Sequence, residues 1–120
     1  MVTVIPVLRA FDYAKLKEFY VDWLGFTINW EHKPDNAPFY LQVSLRGGLI
    51  ELSEHHGDCS PGAKVFFRNF EGLEAFHASL RAKNYTYNRP GLERVEWSPN
   101  TLEMTVIDPF HNQVIFNEEV

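Results

Sequence analysis

Leu16-Lys17-Glu18-Phe19-Tyr20-Val21-Asp22-Trp23 and Leu73-Glu74-Ala75-Phe76-His77-Ala78-Ser79-Leu80 carry the reading of the fold. Leu16, Phe19, Tyr20 and Trp23 follow the i, i+3, i+4, i+7 spacing of a buried helical face. Leu73, Phe76, His77 and Leu80 repeat it, displaced by 57 positions (73 − 16 = 57). Working outward, each helix follows one short strand-like run and precedes three more. The chain therefore reads as one βαβββ unit written twice, about 1–57 and 60–120, within a single domain.

The first copy runs in order as follows. Val4 to Leu8 alternates as a strand, with Pro6 placed where no donor is needed. Asp12 is the expected N-cap, with Phe11 and Leu16 placed to staple across it. Gly25 ends the helix in the left-handed conformation. Phe26 to Trp30 is a strand, and the loop from Lys33 to Pro38 is marked by two prolines. Phe39, Leu41, Val43 and Leu45 share one strand face, opposite Tyr40, Gln42 and Ser44. Arg46-Gly47-Gly48 is a hairpin turn. The returning strand sets Ile50 and Leu52 against Leu49, Glu51 and Ser53.

Glu54 to Gly62 is a polar connector. In the second copy, Lys64 to Arg68 is a strand, and the helix from Leu73 closes near Lys83-Asn84. Tyr85 to Asn88 and Leu92 to Trp97 are expected short strands, with a turn at Ser98-Pro99-Asn100. Leu102 to Ile107 and Gln113 to Asn117 form the last hairpin, around a tight turn at Asp108–Asn112. His32 and His111 are expected in loops and His77 at the edge of the core.

Composition bounds the function. The chain has 120 residues, 45 % hydrophobic and 22 % charged, as a folded domain should. A net charge of −5 without a basic cluster argues against nucleic acid and anionic membrane as partners. No run of 18 apolar residues suggests a transmembrane helix, and Met1-Val2-Thr3-Val4 lacks the form of a signal peptide. Cys59 is the only cysteine, so a reducing cytoplasm is the expected location.

The stretch from Asp12 through Phe19-Tyr20 to Leu24-Gly25-Phe26, together with Ile107-Asp108-Pro109-Phe110-His111-Asn112, resembles the vicinal oxygen chelate superfamily. That superfamily contains glyoxalase I, extradiol dioxygenases, and the fosfomycin and bleomycin resistance proteins. The resemblance covers nearly the whole chain. It implies an α+β fold of two βαβββ modules forming cup-shaped mixed sheets. His111 stands where the family usually has Gly, which implies a strained positive φ. Val4-Ile5-Pro6-Val7-Leu8, and Glu96-Trp97 followed by Leu102-Glu103-Met104, resemble the bleomycin resistance proteins most.

Superfamily enzymes bind one divalent metal through four strand positions, which fall here near Ile5, Glu51, Ala63 and Ile115. Three of these side chains have no lone pair, so neither a metal cofactor nor a catalytic residue is expected. Glu54-His55-His56-Gly57-Asp58-Cys59 reads as a solvated connector, because neighbouring ligands in an extended chain point to opposite sides.

The resemblance then implies a binding cup. Trp97 and one of Phe39 and Tyr40 would stack on a flat heteroaromatic group, and Glu51 and Glu103 would meet cationic groups. Bleomycin-family glycopeptides have that chemistry, and a homodimer is the implied assembly. A metal-dependent lyase or dioxygenase, and a binder of some non-drug small molecule, are the competing readings.

Overall fold

Asp12 opens the first helix as expected: its side chain accepts from the Lys15 N–H at 3.0 Å. The computed structural model describes residues 1–120. The elements are β1 (Val7–Arg9), α1 (Tyr13–Leu16), β2 (Thr27–His32), β3 (Tyr40–Leu45), β4 (Gly48–Ser53), β5 (Lys64–Phe67), α2 (Leu73–Ala82), β6 (Glu93–Val95), β7 (Ser98–Ile107) and β8 (Gln113–Glu119). After α1 the helix widens into a π-helical stretch, Lys17–Trp23. Two four-stranded mixed sheets result, ordered β1-β4-β3-β2 and β5-β8-β7-β6. In each, the strand before the helix pairs in parallel with the last strand, and the remaining pairs are antiparallel. The fold is α+β, with the βαβββ order in both halves.

The residues group into two units. The first is Met1–Ala63 together with the turn Asp108–Asn112; the second is Lys64–Ile107 with Gln113–Val120.

In the first unit the sheet face of Leu8, Leu41, Val43, Ile50 and Leu52 is buried, as are Leu16, Phe19, Tyr20 and Trp23 of the helix. The alternation expected for β3 and β4 holds: Tyr40, Gln42 and Ser44 are half-buried, while Leu41 and Val43 are buried. Arg46 (φ 51°) and Gly47 (φ 84°) form the left-handed pair that a two-residue hairpin needs. Gly25 takes φ 88° at the helix end, and the Leu24 N–H reaches back five residues to Phe19 O at 3.0 Å.

The turn 108–112 is tied to this unit by one buried carboxylate. Asp108 Oδ1 accepts from the N–H groups of Phe110 (2.9 Å) and Asn112 (2.8 Å). Its Oδ2 accepts from Tyr20 Oη (2.6 Å) and Asn112 Nδ2 (2.9 Å). Asn112 Nδ2 also donates to Arg9 O at 2.8 Å. Burial raises the Asp108 pKa, and these hydrogen bonds oppose that rise. Burial, then the neighbouring charge, pushes the Tyr20 phenol well above its ordinary range. His111 sits at φ 71°, the left-handed conformation implied for that position.

In the second unit, Phe67, Phe70, Phe76 and Phe116 pack as one ring cluster between β5, α2 and β8. Glu118 accepts from the Gly72 and Leu73 N–H groups, both at 3.0 Å, and so caps α2 with negative charge. Asn84 closes that helix at φ 52°.

Four expectations are corrected. Tyr85–Asn88 is not a strand: Thr86 and Tyr87 form a turn instead of joining a ladder, and Asn88 Nδ2 donates to Ile107 O at 2.8 Å. The β6–β7 turn falls at Glu96-Trp97, with Val95 opposite Ser98, and Ser98–Asn100 belong to β7. Pro99 is accommodated there because it lies at an irregularity in the ladder, where no donor is required. His32 ends β2, paired with Tyr40, and is not in a loop. The first strand begins at Val7 rather than Val4, since Met1, Val2 and Val4 are exposed.

Candidate functional site

The residues with chemistry to offer in the first unit stand on the sheet face opposite the helix. β3 and β4 pair with Gln42 directly across from Glu51, and Val7 of β1 lies on the other side of Glu51. Tyr40 Oη donates to Glu51 Oε1 at 2.5 Å, and Gln42 Nε2 donates to Oε2 at 3.0 Å. Behind Gln42 the chain of donors continues. Asn29 Nδ2 donates to Gln42 Oε1 (2.9 Å), and Ser44 Oγ donates to Asn29 Oδ1 (3.0 Å). Every donor in this row points toward Glu51, so each bond polarises the next in the same sense.

The row exists because β2 bulges between Ile28 and Trp30. The bulge lets Asn29 reach Gln42 and Ser44 while Trp30 remains opposite Gln42. Trp30, 45 % exposed, then lies parallel to Tyr40, with ring centroids 5.8 Å apart and planes 4° from parallel. His55 adds a tilted ring 6.3 Å from Tyr40. Burial, then the bond to Glu51 and its charge, raises the Tyr40 phenol to about 12. The result is a half-buried carboxylate that accepts from uncharged donors, beside a stacked pair of rings. Such a face suits an organic cation attached to a flat group.

The structure puts the two neighbouring aromatics on different faces. Tyr40 faces Glu51, whereas Phe39 is 3 % exposed and meets Tyr13 edge-on at 5.7 Å. Strand alternation places Phe39 on the Leu41 side, away from Glu51. Trp97 and Glu103 belong to the second unit. Trp97 is 73 % exposed in the β6–β7 turn, and Glu103 is half-buried on β7 between Glu93 and Asn117. Sequence reasoning missed Trp30, Gln42 and Asn29; the alternation placed Gln42 beside Tyr40, but the bulge left no sequence signal.

Two clefts adjoin Arg9 and Phe11 in the same unit. One, of about 660 Å³, is lined among others by Tyr13, Lys33, Asp35 and Phe39. The other, of about 440 Å³, is lined among others by His56, Cys59 and Ser60. Burial raises the Cys59 thiol against the opposing pull of Arg9. Arg9 braces the connector by donating to the carbonyls of Glu54 and His55.

The four positions that would hold a superfamily metal do not fit one. Ile5 and Ala63 are half-buried hydrocarbon and Ile115 is buried hydrocarbon. Glu51 is the single donor, already held by Tyr40 and Gln42. No group of three or more His, Cys, Asp or Glu side chains is arranged to hold a metal ion.

A family profile described as "Glyoxalase superfamily protein" matches residues 1–120. The chain belongs to the glyoxalase superfamily. Among solved structures, a bleomycin-binding protein complexed with bleomycin aligns over 100 % of both chains, at 18 % identity and a TM-score of 0.73. TnmS3, an antibiotic binding protein from Streptomyces sp. CB03234, aligns over 99 % of this chain and 98 % of its own, at 18 % identity and a TM-score of 0.70. A glyoxalase family protein from Bacillus anthracis aligns over 100 % and 96 %, at 15 % identity and a TM-score of 0.70. These likenesses establish the shared fold. A search of curated proteins found no match. No helix is long and apolar enough to cross a membrane.

Proposed function

We propose that this protein binds a cationic small molecule with a flat heteroaromatic part, of the bleomycin-type glycopeptide class, and holds it without catalysis. The observation that carries the reading is the convergence of the Ser44–Asn29–Gln42 row and Tyr40 on Glu51, beside the parallel Trp30–Tyr40 rings. The carboxylate meets the cationic group, and the exposed Trp30 ring covers the flat one. Trp97, exposed in its turn on the second unit, is a further ring open to stacking. The bleomycin and antibiotic binding named for two fold relatives supports the ligand class. A metal-dependent reaction is disfavoured by the hydrocarbon at Ile5, Ala63 and Ile115. The working form is a cytoplasmic homodimer.

Calorimetric titration with metal-free and copper-loaded bleomycin tests this. The expected result is saturation near one drug per chain, with Glu51→Gln weakening affinity about tenfold through loss of one charge-assisted contact. No heat and no change in tryptophan fluorescence at micromolar drug would overturn the assignment of this ligand.

A further inference from the structure

Asn117 is 4 % exposed, and its Nδ2 is a buried donor with no hydrogen-bond partner. Buried amides almost always find partners, because an unmet donor loses its water and gains nothing. The Asn117 main-chain carbonyl is used, accepting from Phe70 N at 3.0 Å, so the unmet group belongs to the side chain.

The register places this amide in a row. Asn117 pairs with Glu103, and Glu103 pairs with Glu93 across β8, β7 and β6. Residues directly opposite in a ladder share a sheet face. Their neighbours Phe116 and Glu118 point to the other side, toward the phenylalanine cluster and the N-terminus of α2. The face that remains carries two carboxylates side by side and one amide N–H without an acceptor, with Lys64 and Arg68 farther along it over the Phe66 ring. Like charges directly opposite repel, and a cation between them removes the repulsion. The amide asks for something different, an oxygen or nitrogen lone pair.

We infer that the Glu93–Glu103–Asn117 row is a binding site for an organic ammonium group carrying a hydrogen-bond acceptor on the adjacent carbon, as in an amino alcohol or amino sugar. The ammonium lies between the two carboxylates, and the hydroxyl oxygen accepts from Asn117 Nδ2. A simple metal cation would satisfy the carboxylates and leave the amide unmet. A neutral sugar would do the reverse. The site does not use the Trp30–Tyr40 face and stands or falls without it.

The test is a titration of the ¹⁵N-labelled protein followed through the Asn117 side-chain amide signals. Glucosamine supplies both groups, N-acetylglucosamine removes the charge, and cyclohexylamine removes the acceptor. Glucosamine should shift the Asn117 signals saturably. Each of the other two should bind about tenfold more weakly, having lost one charge-assisted or buried hydrogen-bonded contact. Glu103→Gln should weaken glucosamine binding by a similar factor. Asn117→Ala, followed through the backbone amide signals of Glu103 and residue 117, should make glucosamine and cyclohexylamine equivalent, and the whole backbone amide spectrum reports whether each variant is folded. Unmoved Asn117 signals, or equal responses to all three probes, would overturn the site. The Asn117 signals report this row alone, which separates this site from the face on the first sheet.

Discussion

Tyr20 and Asp108 are 88 residues apart in sequence and joined by a 2.6 Å hydrogen bond in the buried interior of the first unit. The carboxylate also holds the whole 108–112 turn through Phe110 and Asn112. Replacing Asp108 by Asn turns one acceptor oxygen into a donor that faces the Asn112 amide. The expected loss is about 2–4 kcal/mol in urea unfolding, the scale of a buried charge-assisted bond broken with its partners left unmet. Tyr20→Phe should lose less, about 1.5–3 kcal/mol.

The same bond sets a limit on truncation. Residues 1–63 alone contain Tyr20 and Arg9 but lack Asp108 and Asn112, which belong to that unit. This fragment should show no cooperative thermal transition by circular dichroism. A sharp two-state melt of the fragment would contradict the assignment of the turn to the first unit's core.

Burial, then the hydrogen bond to Glu51, pushes the Tyr40 phenol up to about 12, against an ordinary value of 10.0. The folded state therefore holds this proton more tightly than the unfolded state. Its contribution to stability is complete below pH 10 and is lost as pH rises toward about 12. Ultraviolet difference titration should show Tyr20 and Tyr40 both absent from the ordinary transition in wild type, and a smaller shift for Tyr40 in Glu51→Gln.

His111 adopts φ 71°, a region where a side chain is costly. His111→Gly should raise stability by about 0.5–1 kcal/mol in urea unfolding, the relief of strain less the extra freedom of the unfolded glycine. Gly25→Ala, at φ 88° with nothing within 4 Å of the added carbon, should cost about 1 kcal/mol from backbone strain alone.

Trp30→Ala should weaken ligand binding on the first sheet by about tenfold, the worth of one stacked ring, with little loss of stability since Trp30 is 45 % exposed. Equal affinity for both proteins in calorimetry would remove the Trp30–Tyr40 pair from the binding face.

Much of the fold was legible because it rests on local chemistry. Asp12 acts through its side chain on the turn just ahead, Gly25, Asn84 and the Arg46-Gly47 turn act through their own backbone, and the faces of β3 and β4 follow from strict alternation. What escaped depends on register. The turn at Glu96-Trp97 is fixed by Val95 meeting Ser98, not by the proline-containing tripeptide that looks like a turn. The widening at Lys17–Trp23 leaves the apolar spacing unchanged and so leaves no trace in it. The candidate site was half legible. Glu51 was named from its place in an apolar strand and a resemblance, and Tyr40 only as one of a pair with Phe39, while Trp30 joins them through a bulge that no pattern announces.

That bulge has a consequence for how recognition is timed. The dipoles of Ser44, Asn29 and Gln42 are turned toward Glu51 before any ligand arrives, fixed when β2 pairs with β3. These donors hold the carboxylate in one orientation, so on the proposed reading little reorientation would accompany capture of a cation. The work of preparing the surface is done once, during folding, and each encounter inherits it.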